Sequence, residues 1–378
     1  MRVHRLHGRS RSVIDSRFAG RGGRYAQGVE TISFARGIPA PECLPVEELA
    51  DCARAAVERD GRTILSYGSS AGYAPLRDWI AERHGTEPER VLLSNGSLQG
   101  FVFLAQRLAP ARRVLVEQPT YDRPLKILRE LGAEVVPVAM DDEGLDPDAL
   151  EAALRDGAPP AFLYTIPTFQ NPSGRTLSTE RRRRVAELAV EHDLLVLEDD
   201  PYGLVRFEGE EPPSLYELSG GRVAYSSSFS KTIAPGIRVG YFVLPAELER
   251  ELEATATATY ITPALLGQAT VHEFLRRGRF ELNLERVRGL LRSRRDAMVS
   301  ALERELPAAR WSRPQGGYFL WLELPHAVET ADAGGVTFVR GADFGGAPNE
   351  IRLAYSYVSP DEISTGIARL AAALPVTV

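Results

Sequence analysis

Lysine is nearly missing from this chain. Of its 45 basic residues only Lys126 and Lys231 are lysines. Arginine fills almost every place where a solvent cation would serve. A primary amine can lose its proton and attack a carbonyl carbon, whereas arginine stays charged at any working pH. Cysteine is scarce as well. Cys43 and Cys52 form no Cys-x-x-Cys pair, so neither a disulfide framework nor a zinc site is implied, and a reducing cytosol fits. The six histidines are scattered, with no His-Glu-x-x-His cluster, and no metal site is expected. No apolar run approaches the roughly 18 residues that span a bilayer. The opening residues lack the apolar core of a signal peptide. A net charge of −6 speaks against nucleic acid or an anionic membrane as the main partner. The expected location is the cytoplasm.

What remains is an ordinary globular composition, 44% apolar and 25% charged, in a chain of 378 residues, long enough for two domains sharing one core. Residues Met1 to Tyr25 are rich in arginine and glycine, with Asp15 the only acid, and suggest a loosely held arm or an irregular first helix. A short strand is expected at Thr31 to Phe34 and amphipathic helices at Val46 to Arg59 and from Pro75 to Arg83. Then a regular beat begins. Apolar runs at Val91 to Leu93, Val114 to Val116, Val135 to Val138, Ala161 to Thr165, Leu194 to Leu197, Val223 to Tyr225 and Val239 to Leu244 alternate with mostly helical stretches. This predicts an α/β fold with a mostly parallel seven-stranded sheet covered by helices. Leu265 to about Leu306 reads as one long helix. Trp311 to Leu374 reads as a smaller α+β domain. The expected division is residues 1–60 as arm and part of the small domain, 61–264 as the large domain and 265–378 as the small one.

Open α/β sheets bind ligands at the carboxyl ends of their strands, and four polar pieces fall there. Ser94-Asn95-Gly96-Ser97-Leu98 joins a strand to a helix. Free amides with a hydroxyl at a helix N-terminus make a phosphate cradle, although a helix cap accounts for Ser97 about as well. Asn171-Pro172-Ser173-Gly174 is a ligand loop or simply a turn. Glu198-Asp199-Asp200-Pro201-Tyr202 puts acids at the end of a buried strand. Ser228-Phe229-Ser230-Lys231-Thr232, with Arg238 seven residues past the lysine, gathers an amine, hydroxyls and a cation in one loop. Lys126, in a polar helical stretch, reads as a solvated surface lysine.

Together the four pieces match the needs of pyridoxal phosphate. That cofactor wants a lysine for its aldehyde, a carboxylate for its ring nitrogen, donors for its ring oxygen and a cationic, amide-rich cup for its phosphate. A carboxylate at about 3 Å from the ring nitrogen, at an effective dielectric near 20, interacts by roughly 5 kcal/mol before desolvation.

The chain resembles the class I/II aminotransferases of fold type I, most closely the branch with 2-aminoadipate and related bacterial aminotransferases. The likeness runs from about Ile32 to the C-terminus. It rests on Ser-Phe-Ala-x-Gly-Ile-Pro-Ala-Pro-Glu at 33–42, Gly-Tyr-Ala-Pro-Leu-Arg at 72–77 and Phe-Gln-Asn-Pro-Ser-Gly at 169–174. Glu-Asp-Asp-Pro-Tyr at 198–202, Ser-Phe-Ser-Lys at 228–231 and Arg-Leu-Ala-Tyr-Ser at 352–356 complete it. The resemblance implies an enzyme that moves an amino group between an L-amino acid and a 2-oxo acid in two half-reactions. It implies that Lys231 binds the cofactor aldehyde and shuttles a proton, and that Asp199, with Tyr202 three residues on, pairs with the ring nitrogen. Tyr202 and Asn171 would donate to the ring oxygen, and Tyr121 would stack on the ring. Gly96, Ser97, Leu98, Ser228 and Arg238 would line the phosphate end. Tyr67 would reach the phosphate of the partner subunit in a homodimer. Arg352 would grip the substrate α-carboxylate as a fork, near Gly37 and Asn171.

Two departures bear on the substrate. Arg36 stands where the closest relatives usually carry a glycine, and either binds a second acidic group or fills a changed loop. Pro325 to Arg352 is short and glycine-rich where relatives fit a full helix, which implies a remodelled entrance. Cofactor motifs do not separate transamination from elimination, replacement, decarboxylation or oxidation on the same frame. A ligand-sensing module fused to a DNA reader is a further alternative. About thirty residues precede the shared fold, fewer than such a reader needs.

Overall fold

The computed structural model describes residues 31–374. The expectation for Met1 to Tyr25 lies outside them. After a two-residue strand β1 (Ile32–Ser33), the chain builds its main sheet from β2 (Val91–Ser94), β3 (Arg113–Gln118), β4 (Glu134–Asp141), β5 (Gly144–Leu145), β6 (Phe162–Thr165), β7 (Val196–Asp199), β8 (Ala224–Ser228) and β9 (Gly240–Val243). Their order across the sheet is β2-β9-β8-β7-β6-β3-β4-β5. All seven apolar runs become strands of this sheet. The eighth, β5, has only two residues and folds back antiparallel on β4, too short to register as an apolar run. Strands β4, β3, β6, β7 and β8 run parallel, while β9 is antiparallel to both of its neighbours.

Why the strands read as continuous apolar runs is visible in where alternate residues go. Val91, Leu93, Leu115, Leu163, Val196, Tyr225 and Val243 enter one core. Leu92, Val114, Val116, Phe162, Tyr164, Leu197 and Phe242 enter the other. Both faces are buried, so neither face needs polar residues. The helices Ser97–Leu108, Asp122–Glu130 and Ala246–Tyr260 cover the second face through Phe101, Leu104, Leu125, Leu128, Leu252 and Ala256. Each large apolar side chain buried this way contributes about 1.5–3 kcal/mol over an exposed one.

The stretch Leu265 to Leu306 is two helices, Leu265–Arg276 and Arg279–Glu305. Gly278 breaks it with φ +67°, a left-handed conformation that glycine adopts without steric cost. Beyond it lie β10 (Arg310–Trp311), β11 (Phe319–Glu323), β12 (Asp332–Ala333), β13 (Val336–Thr337), β14 (Val339–Arg340) and β15 (Glu350–Ala354), then the helix Pro360–Ala373. They form a sheet β10-β11-β15-β14 and a small one in which β1 pairs with β13. The segment 325–352 contains short strands and a 3-10 turn, Gly341–Phe344, with no α-helix.

Two register rows position the site. Asp199, the last residue of β7, lies opposite Ser226 of β8. Ser94 of β2 and Ser228 of β8 both lie opposite Gly240 of β9. Three of the four polar pieces read from the sequence thus sit at neighbouring strand ends along one edge of the sheet.

Candidate active site

A cavity of about 480 Å³ opens at that edge. Gly96, Ser97, Leu98, Tyr121, Asn171, Asp199, Tyr202, Ser228, Lys231, Arg238, Arg352 and Gly37 all line it. Twelve of the fourteen residues singled out from the sequence therefore meet in one place. The other two do not. Tyr67 is 78% exposed, and Arg36 is exposed with its guanidinium 5.2 Å above the Tyr357 ring.

Lys231 follows β8 in the loop that returns to β9. Its Nζ donates to Gly37 O (3.1 Å) and lies 5.3 Å and 5.8 Å from the Tyr318 and Tyr202 ring centres. Tyr318 Oη donates to the Lys231 carbonyl (2.9 Å), fixing the lysine's backbone. Burial, with the positive charges of Arg352 and Arg238, lowers the amine's pKa to about 8, and Asp199 opposes the shift. A neutral, nucleophilic fraction is therefore present near neutral pH.

The Asp199 carboxylate is held rigidly. Tyr164 Oη donates to Oδ2 (2.8 Å) and Ser226 Oγ to Oδ1 (3.2 Å). Burial and the neighbouring Asp200 raise its pKa to about 6, against the lowering effect of those two donors and Lys231. A cationic ring nitrogen beside such a buried acid would favour its charged form. Burial pushes the hydroxyls of Tyr202 and Tyr121 up, the latter to about 12, so both are donors in the working range.

The far end of the cavity is an anion cup. Gly96 has φ +91° and precedes the helix Ser97–Leu108. A Cβ there would lie 2.2 Å from Arg238 Nη2, so only glycine lets the cation approach the helix start. Arg238 itself is left-handed, at φ +54°, and donates to Asn95 O (3.0 Å) and Pro235 O (3.2 Å). Ser228 Oγ and Ser230 Oγ are 2.9 Å apart and both buried beside it.

At the entrance, Arg352 on β15 is packed between Phe319 and Phe344, whose ring centres lie 4.2 Å and 4.9 Å from its guanidinium carbon. Nη1 donates to Asn171 Oδ1 (2.9 Å) and Nη2 to Ala35 O (3.0 Å). Its Nε is buried and has no protein partner among the described residues. A buried guanidinium with a free N–H suits a carboxylate.

Amine, acid, cup and cation together fit pyridoxal phosphate and the carboxylate of an amino acid. The sequence profile of the class I and II aminotransferases matches residues 40–370. The chain belongs to the class I and II aminotransferases. Among curated relatives of this family, the 2-aminoadipate transaminase of Thermus thermophilus is 40% identical over 363 residues, 91% of this chain and 90% of the relative. Aromatic-amino-acid aminotransferase 1 of Thermococcus litoralis is 34% identical over 365 residues, covering 90% and 87%. The crystal structure of the α-aminoadipate aminotransferase LysN from Thermus thermophilus, complexed with N-(5'-phosphopyridoxyl)-L-leucine, matches with TM-score 0.84 and 37% identity over 90% of this chain and 91% of that one. This aminotransferase is a fold-type-I enzyme with pyridoxal phosphate as cofactor, and it transfers amino groups between amino acids and 2-oxo acids. Among its described residues no helix is long and apolar enough to cross a membrane.

Several residues in or directly behind the aminotransferase cavity escaped the sequence reading. Tyr164 and Ser226, which hold Asp199, sit inside strands and looked like core. Their signal was positional: both lie in strands that flank β7. Phe319 and Phe344 come from separated parts of the chain and carry no local signal.

Proposed function

We propose that Lys231 is the residue that would bind the cofactor aldehyde and whose amine would carry the proton to and from the substrate α-carbon. The observation that supports this most is the amine with its pKa lowered to about 8, lining one cavity with the buried Asp199 carboxylate. Bound there, the cofactor supplies an aldehyde and an electron-accepting ring. Asp199, aligned by Tyr164 and Ser226, keeps the ring nitrogen protonated. Tyr202 and Asn171, which line the same cavity, would donate to the ring oxygen, and Tyr121 would pack on the ring. The amides at Gly96 and Ser97, with Ser228 and Arg238, hold the phosphate. Arg352 orients the substrate through its α-carboxylate, its own direction set by Asn171 and Ala35.

The donors to test first are 2-aminoadipate and aromatic amino acids, after the names of the relatives above. Arg36 stacks over Tyr357, away from the cavity lining, so the reading that it fills a changed loop is the one the geometry favours. A homodimer is part of the proposal. Tyr67, Leu65, Ile261 and Leu266 are exposed large apolar side chains, of the kind a second copy would cover. Tyr67 from that second copy would complete the cup. The experiment is a half-reaction. Each amino acid is added to the loaded enzyme and the visible absorbance followed, then a 2-oxo acid is added. Reversal of the spectrum supports transamination. Release of ammonia or carbon dioxide in place of reversal would assign a different reaction to the same site.

A further inference from the structure

Behind the cavity lies a buried acid that none of these roles uses. Glu117, near the end of β3, is 2% exposed. Its Oε1 accepts from Thr165 Oγ1 (2.5 Å), and its Oε2 accepts from Ile166 N (3.1 Å) and Gln170 Nε2 (3.0 Å). None of these three groups carries a charge. An amide N–H and a side-chain NH2 can only donate, so Oε2 must be a pure acceptor. Burial raises the pKa of Glu117, while the three donors oppose that.

Gln170 carries the arrangement further. The same Nε2 donates to Pro119 O (2.7 Å), and Gln170 Oε1 accepts from Ser173 N (2.8 Å). Its amide therefore spends both hydrogens and one acceptor on fixed partners. Pro119 lies two residues before Tyr121 on one wall of the cavity. Gln170 immediately precedes Asn171 on the other wall, and Asn171 receives Arg352 Nη1. One buried carboxyl group is thus tied to two loops, one carrying Tyr121 and the other Asn171, which is both a proposed ring-oxygen donor and the partner of Arg352.

A buried carboxyl group with no counter-ion among the described residues is costly, and a well-packed apolar residue would be cheaper for stability alone. Its presence calls for a task that shape cannot perform. We propose that Glu117, acting through Gln170, is a positioning residue that sets the spacing between the Tyr121 and Asn171 walls of the cofactor cavity. The inference rests on the site assigned above.

The test uses the full chain loaded with pyridoxal phosphate, with three readouts: the cofactor dissociation constant from visible absorbance, the melting temperature, and KM for the amino donor. Gln170→Met keeps the volume and removes the bridge; Glu117→Ala removes the anchor. Each is expected to raise the cofactor dissociation constant and KM about tenfold, and the double variant to be no worse than the worse single one, since both act along one connection. Glu117→Gln can keep the same partners, with its oxygen at the Oε2 place and Thr165 turned to accept, and is expected to recover to within about threefold of wild type. If Glu117→Ala fails to fold, Gln170→Met carries the test. Melting temperatures that fall while both constants stay within about twofold of wild type would overturn the proposal, as would losses that add fully in the double variant. Absence of lysine-dependent cofactor binding in the wild type would instead strike the underlying site assignment.

Discussion

The sheet wall and the entrance wall of the cavity are built differently. The sheet wall takes Asp199 and Ser228 from the ends of the paired strands β7 and β8, and Gly96, Ser97 and Leu98 from just past β2, where ladder pairing fixes one strand end against the next. The entrance wall takes Phe319 and Arg352 from the paired strands β11 and β15 of a smaller sheet, and Ala35, Gly37, Asn171 and Phe344 from separate loops and a 3-10 turn, joined to Arg352 or Lys231 by single hydrogen bonds and a ring contact. The difference teaches that the groups proposed to act on the cofactor sit at strand ends of the main sheet, while those proposed to meet the substrate are gathered from several separate segments.

Breaking the sheet wall should cost most. Lys231→Ala is expected to lower turnover by at least about a thousandfold and to remove the absorbance of the lysine-bound cofactor. Asp199→Asn should retain cofactor and lower kcat by about 10²–10³, as losing an aligned electrostatic group typically does; stopped-flow half-reactions measure it. Arg352→Lys attacks the other wall. Losing a two-pronged charged contact worth about 1.5–3 kcal/mol should lower kcat/KM for amino donors about 10- to 100-fold, with cofactor affinity unchanged. Arg36→Gly, off the cavity, should change kcat/KM by less than about threefold for every donor. A loss confined to dicarboxylic donors would move Arg36 into the entrance wall.

A pH experiment sharpens the same contrast. Lys231 has a folded-state pKa near 8, below that of a free lysine, so the unfolded chain binds more protons between the two values. The cofactor-free enzyme should therefore gain stability as pH rises from about 8 toward the free-lysine value of about 10.4, relative to Lys231→Met. Denaturant melts of both proteins across that range check the sign.

The sheet wall was legible in the sequence because its determinants are local. Its polar motifs directly follow apolar runs, and Lys231 was marked by the near-absence of other lysines. Where local rules stopped, so did the reading. Gly278 ends one helix and starts another inside a stretch whose periodicity continues across it. The two-residue β5 makes no pattern. Tyr164 and Ser226 look like any strand interior until β6, β7 and β8 are set side by side. Phe319 and Phe344 owe their place to the fold of the smaller sheets, which nothing near them in the chain announces.

Ser94 and Ser228 face the same residue, Gly240, from two sides. Slippage of the antiparallel edge by one position would carry Gly96, Ser228 and Arg238 out of alignment at once, so the anion cup exists only when that edge is correctly assembled. With the phosphate held there as proposed, cofactor binding would act as a clasp on the sheet margin: loaded protein should resist unfolding by an amount that grows with free cofactor concentration, and a cell short of vitamin B6 would hold this enzyme in a form easier to degrade.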